Sequence, residues 1–387
     1  MKESLGIIRL EGLVYYVHDA SRSHQFYVDR LDFSHVGNSS SDYEQTTGMT
    51  TKTYQAGSCQ VTIALPTKRG NKSLADRFLT RHPDGIGELV FEVEDIETTF
   101  RILESRGATP VENIQNFEHF SDGVNSVYRS FAIATPFGSS LFRFVQRSNY
   151  NIPFPGCDVV SKSSESSNQY GFTHFDHITS NFETMSPALL WMEHVMGLER
   201  YWGIEFHTSD IDPTRTTGSG LKSTVMWDPE SKVKFANNEP WRPFFTNSQI
   251  SLFVDDNRGD GIQHAAIAVG DIIPAVVGMR EAGVEFLPTP SAYYDFLPQR
   301  LQESGIQEIE ENHQTLRDLE ILIDGSDYKK YLLQIFMKDS AGLYNEMEAG
   351  PFFYEIIQRK GDKGFGGGNF RALFESIERQ QQMDGRI

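Results

Sequence analysis

The sequence predicts an α+β fold of four repeated units, two in each of two domains, followed by a C-terminal helix. Three observations carry this. A pattern of short strand, Asp or Asn, amphipathic helix and then several strands begins at Gly12, Gly87, His174 and Ile262. A stretch rich in Ser, Asn, Pro and Gly, SNYNIPFPGCDVVSKSSESSNQYG, separates the second unit from the third. A helical apolar stripe returns near the end of the chain, after a run of glycines. The expected organisation is residues 1–155 as a metal-free first domain, 156–171 as linker, and 172–387 as a second domain with the terminal helix. Internal repetition of this kind fixes the architecture before any single element does.

The units follow one logic. In the first, GLVYYVHDASRSHQFYVDRLDF runs strand to helix, and SCQVTIALP supplies a later strand. In the second, Asp95 stands where a side-chain oxygen caps an orphan helix N–H. Ile96, Phe100 and Leu103 recur at i, i+4, i+7 on one buried face, and Gly107 closes the helix. The strands of SVYRSFAIATPFGSSLFRFVQR come next. The third unit, HFDHITSNFETMSPALLWMEHVMGLERYW, repeats the first. The fourth, IQHAAIAVGDIIPAVVGMREAGVEFLPTP, repeats the second, with Asp271 as cap and Gly283 as stop. Strands YLLQIF and PFFYEIIQRK finish it, and the SQI stretch around Gln249 also reads as strand. In the tail, Asn369 is an expected N-cap, and Phe370, Leu373, Phe374 and Ile377 form a stripe at i, i+3, i+4, i+7. The glycines of GDKGFGGGNF read as a tight turn. A dinucleotide fingerprint needs a further βαβ strand and an acidic residue about 20 positions on, and Gly-Lys-Ser/Thr is absent.

Composition narrows the function. The 387 residues carry 35 Lys+Arg against 53 Asp+Glu, a net charge of −18 and a pI near 5.0. Without a basic face, nucleic acid is not an expected partner. No apolar run approaches the ~18 residues of a membrane span, and MKESLGIIRLEG reads as no secretory signal. Two cysteines, Cys59 and Cys157, make no disulfide framework. The expectation is a cytoplasmic protein.

Chemistry points to the second domain. His177 and His264 open equivalent strands of the third and fourth units, and Glu355 interrupts an otherwise apolar strand. Two histidines and one carboxylate from separate strands make a facial triad that leaves positions open for oxygen and substrate on non-haem iron; zinc or manganese suits the same donors. A lone strand histidine is more often structural. Equivalence of position within repeats favours the metal reading. His174 lies three residues before His177, on the other face of the strand, and His177 is preferred. Aligning the halves sets Tyr15 opposite His177, Glu88 opposite His264 and Arg143 opposite Glu355. Arginine has no lone pair to give, so the first half is expected to bind no metal.

The segments DHITSN, GIQHAAIAV, YLLQIF, FYEIIQRKGDKGFGGGNFRALFESIE, NEP and SQI together resemble the 4-hydroxyphenylpyruvate dioxygenase family, of the vicinal oxygen chelate fold (paired βαβββ units). The resemblance is strong over 172–380 and weaker but continuous over 10–155. It implies Fe(II), one per chain, on His177, His264 and Glu355. It implies a substrate pocket lined by Ser223, Asn238, Gln249 and Gln334, with Gln263 beside a ligand and Phe365 and Phe370 against the substrate ring. The implied reaction converts 4-hydroxyphenylpyruvate and O2 to homogentisate and CO2, in tyrosine breakdown, with a homo-oligomer (dimer or tetramer) as the expected assembly. Ser251 and Leu252 depart from the family's Gln-Ile-x-Glu-Phe/Tyr stretch. The rival readings are 4-hydroxymandelate synthase, which uses the same substrate, and a non-catalytic ligand-binding member of the fold. Phe370 speaks for the dioxygenase, since the synthase carries a smaller aliphatic residue there.

Overall fold

A computed structural model describes residues 3–121, 123–160, 167–207, 220–246, 248–327 and 329–369. The stripe from Phe370 onward, and Phe370 itself, lie outside the described residues. Strands β1 (Ile7–Tyr16), β2 (Ser34–Ser39), β3 (Met49–Ala56), β4 (Cys59–Pro66), β5 (Gly85–Val93), β6 (Pro110–Ser121), β7 (Val124–Ala134), β8 (Leu141–Ser148) and β9 (Cys157–Val159) form one sheet, in the order β6-β7-β8-β5-β1-β4-β3-β2-β9. Strands β10 (Phe172–Asn181), β11 (Glu199–His207), β12 (Gly220–Trp227), β13 (Lys234–Pro240), β14 (Gly261–Val269), β15 (Leu322–Asp327), β16 (Lys330–Phe336) and β17 (Phe353–Lys360) form the other, in the order β11-β12-β13-β10-β14-β17-β16-β15. With β9 set aside, the two orders are the same. Both sheets curl, so each presents a concave face.

Helix chemistry matches the sequence reading in units two and four. Asp95 and Asp271 each accept a backbone N–H two residues on, at 3.2 and 3.3 Å, opening α-helices Ile96–Ser105 and Ile272–Glu281. Unit one differs. Its helix, Gln25–Arg30, is not closed by glycine; Asp32, at φ +53°, takes the left-handed position instead. Two further expectations are corrected. Cys157–Val159, read as linker, pairs with β2 and belongs to the first sheet. Gln249, read as strand, opens the helix Gln249–Asp256, whose cap is the Ser248 hydroxyl; a Ser N-cap followed by Ile250, Phe253 and Val254 on one buried face makes that helix.

The halves share one apolar core. Phe142 of β8 stacks on Phe235 of β13 at 5.7 Å, and Phe137 meets Phe182 edge-on at 5.2 Å. His82 bridges the halves through the Asn257 carbonyl at 2.7 Å. Both cysteines are buried and unpaired. No helix among the described residues is long and apolar enough to cross a membrane.

Candidate metal centre

Register brings three side chains together. Ala266 on β14 pairs with His177 on β10 and with Glu355 on β17, while His264 lies two residues before Ala266 on the same face. Nε2 of His177 and Nε2 of His264 each stand 3.3 Å from Oε2 of Glu355. All three residues are buried, and among the described residues they form a group able to hold a metal ion. His174 is exposed and outside this group.

The residues present fit an ion. Donors held ~2.1 Å from a first-row metal and roughly 100° apart lie roughly 3.2 Å from one another. Oε1 of Glu355 is buried with no hydrogen-bond partner, an expensive condition for a carboxylate oxygen unless a cation meets it. Burial works against charge on Glu355, but the neighbouring imidazoles outweigh it and hold the carboxyl down at about 2, so it is an anion. Burial pushes His264 down, keeping it neutral as a ligand must be. Burial also opposes charge on His177, yet Glu355 at Nε2 and Asp176 at Nδ1 favour the charged ring and raise it. A cation entering between the donors would take the place of the Nε2 proton.

Behind each imidazole stands a different partner. Nδ1 of His177 donates to Oδ1 of Asp176 at 2.9 Å, and Arg359 grips both oxygens of Asp176 at 2.6 Å. This fixes the tautomer that turns Nε2 toward Glu355. Nδ1 of His264 meets the neutral Gln263 amide at 3.0 Å. Gln263 thus acts on a histidine, and its own Nε2 has no partner. Asp176 and Arg359 were not singled out from sequence. The signal was there: Glu11 and Arg147 form the equivalent pair, at 2.8 Å, in the first half.

Around the triad a small cavity is lined by Gln249, Gln334, Asn238, Gln263, Phe336 and Phe365, with Gly366 beside them. Five of the residues that the resemblance implies therefore converge: Gln249, Gln334, Asn238, Gln263 and Phe365. Ser223 sits one strand further out, opposite Asn238, with a buried, unpartnered hydroxyl. Asn238 donates to Asn181 at 3.0 Å, a residue absent from the sequence reading. Phe365 stands edge-on to His177 at 5.2 Å and stacks on Trp202. Asn369 spends its Oδ1 on Tyr293, at 2.7 Å, and Arg300.

The first half shows a displaced equivalence. Val90, the counterpart of Ala266, pairs with Gly12 and Arg143. Gly12, not Tyr15, holds the place of His177. Register shifts interrupt both β1 and β10, so counting from a strand end loses the face. Tyr15 points elsewhere, with its hydroxyl 3.2 Å from Ser340.

Comparison with known proteins agrees with this architecture. The Glyoxalase/Bleomycin resistance protein/Dioxygenase superfamily model matches residues 9–140. The chain is 34% identical to 4-hydroxyphenylpyruvate dioxygenase of Dictyostelium discoideum, over 97% of this chain and 98% of that protein. It is 36% identical to the enzyme of the same name from Caenorhabditis briggsae, over 80% of this chain and 76% of that one. A mutant 4-hydroxymandelate synthase from Streptomyces coelicolor shares the fold, with a TM-score of 0.77 at 22% identity, over 97% of this chain and 99% of that one.

Proposed function

The chain belongs to the 4-hydroxyphenylpyruvate dioxygenase family, and we propose that it converts 4-hydroxyphenylpyruvate and O2 to homogentisate and CO2, with one Fe(II) per chain held by His177, His264 and Glu355. The carrying observation is the trio of donors with Glu355 Oε1 unpartnered. When bound, the ion supplies a Lewis acid and a redox centre for O2. The chain supplies the rest. Gln249 and Gln334 offer donors and acceptors for an oxo acid or a phenol without burying a charge. Phe336 and Phe353 pack on His264, and Phe365 packs on His177, so apolar rings shield both imidazoles from water. Asp176 and Arg359 hold His177 in one tautomer. The substrate brings its own 2-oxo acid, so no separate oxo-acid co-substrate is required.

Two finer readings accompany this. Buried, unpaired Cys59 and Cys157 suit a reducing cytoplasm. Exposed Val111, Phe117, Phe120 and Val124 on the β6–β7 edge suit a homo-oligomer, dimer or tetramer, which light scattering tests. The activity is tested by supplying iron-loaded protein with 4-hydroxyphenylpyruvate and O2 and separating the products. Homogentisate is expected; 4-hydroxymandelate as the main product overturns the assignment.

A further inference from the structure

The concave face of the first sheet bounds a cavity of about 700 Å3, within the range of small-molecule sites (about 300–1,000 Å3). It stands over the positions equivalent to the triad, with Glu88 and Arg143 among its lining residues, while the helix Ser41–Thr47 and the segment 153–156 flank it. A half that had merely lost its metal would be expected to collapse or fill with apolar side chains. This one keeps a polar floor. Thr51 lines the cavity, is only 2% exposed, and has a buried hydroxyl with no hydrogen-bond partner.

The chemistry of the lining selects a ligand. Its cations are committed. Arg143 gives Nε to Glu88 at 2.6 Å and Nη1 to Glu112 at 2.7 Å. Arg147 is paired with Glu11 and donates to the carbonyls of Ile152 and Pro153. With Arg147 so balanced, the lining sets Glu88 and Glu112, and the exposed Asp42 at its edge, against the one guanidinium of Arg143, an excess of negative charge. Glu112 is the more open of the two carboxylates on Arg143, with a third of its side chain exposed (34% against 4% for Glu88). The walls are aromatic: Tyr43 packs on Phe154 at 5.0 Å, and Tyr128, whose ring already carries the Arg147 guanidinium at 4.7 Å, lines the space beside them. Aromatic faces with a carboxylate nearby attract a cation and a flat ring together.

We propose that this cavity is a second ligand site, separate from the metal centre, that takes a small aromatic amine, with its ammonium group on Glu112 and its ring against Tyr43 and Phe154. Calorimetry on the iron-loaded protein tests it, with tyramine, L-tyrosine and 4-hydroxyphenylacetate as probes. Tyramine should bind once per chain. Tyrosine should bind more weakly, since its carboxylate finds no uncommitted cation, and the anion 4-hydroxyphenylacetate should not bind here. Glu112→Gln exchanges a charge-assisted hydrogen bond for a neutral one and should weaken tyramine by about fivefold or more. Leu74→Trp, which fills the cavity from its rim, should abolish binding. Both variants should turn over 4-hydroxyphenylpyruvate as the parent does. Absence of tyramine binding overturns the site. So does equal binding of 4-hydroxyphenylacetate, or tyramine binding that survives Glu112→Gln unchanged while Gln249→Ala removes it.

Discussion

The two halves carry the same strand order and the same register, yet one gathers three side chains able to hold a metal ion and the other builds a salt bridge. Three positions separate them. His177, His264 and Glu355 stand where Gly12, Glu88 and Arg143 stand in the first half. In the second half, the buried carboxylate is left with one oxygen open. In the first, Arg143 supplies a fixed cation on the spot and Tyr16 donates to Glu88 at 2.6 Å, so every oxygen of Glu88 is satisfied. What stays constant is also informative. An acid–arginine pair links the strands of His177 and Glu355, as Asp176–Arg359, and their counterparts in the first sheet, as Glu11–Arg147. Since the half that has Gly12, Glu88 and Arg143 in place of the three donors keeps it, the pair serves the sheet first. Only in the second half does its acid also reach an imidazole.

The sharpest way to break this contrast is to remove the open carboxylate. Glu355→Ala should lose bound metal and turnover together, by more than the ~10–100-fold that an outer partner costs. Metal analysis of the purified variant checks it, and full metal retention would mean the donors lie elsewhere. Next comes Arg143→Met in the first half. It strands Glu88 in a buried place, at a cost of about 3–5 kcal/mol of stability. Denaturant unfolding should show that loss while metal content per chain stays at the parent value.

A matched pair of substitutions sharpens what the recurring acid does. Asp176→Asn should lower metal affinity or activity ~10–100-fold, because His177 loses the carboxylate that fixes its tautomer. Glu11→Gln, at the equivalent place, should leave metal and turnover unchanged and show itself only in the melting temperature. Equal effects of the two on turnover would mean that Asp176 acts through the sheet alone.

The legibility of all this in the sequence follows the physics of each feature. The repeat, the caps at Asp95 and Asp271 and the three clustered donors come from local patterns that survive in one dimension. The counterpart of His177 did not, because bulges in β1 and β10 change which residues share a face. At Gln249 three residues of an apolar-polar run cannot tell strand from helix; the Ser248 cap before it decides for helix. Asp176 and Arg359 are 183 positions apart, and their contact at 2.6 Å exists only once β10 and β17 flank β14. The large cavity of the first half is a property of sheet curvature, which no residue pattern records.

The smallest expected effect isolates geometry from chemistry. Gly366 sits at φ +65°, and a Cβ there would meet Oε1 of Gln334 at 2.7 Å. Gly156 in the first half sits at φ +84°, where a Cβ would meet Tyr43 at 2.9 Å. An alanine at either position pays a similar backbone penalty, about 1–2 kcal/mol for a left-handed residue. The two differ in what the new methyl displaces. Gly366→Ala pushes the Gln334 amide off its line toward the cavity, so part of that cost should appear as a weaker hold on 4-hydroxyphenylpyruvate. A KM raised several-fold, with metal content unchanged, is the expected reading, since one misaligned hydrogen bond is worth about 1 kcal/mol. Gly156→Ala moves a tyrosine far from the triad and should lower the melting temperature by a comparable amount without touching KM. Measured side by side, the two separate strain that unsettles the fold from strain that reaches the substrate. If Gly156→Ala raises KM as much as Gly366→Ala does, the glycine beside Gln334 matters only for stability, and the amide has no place in holding the substrate.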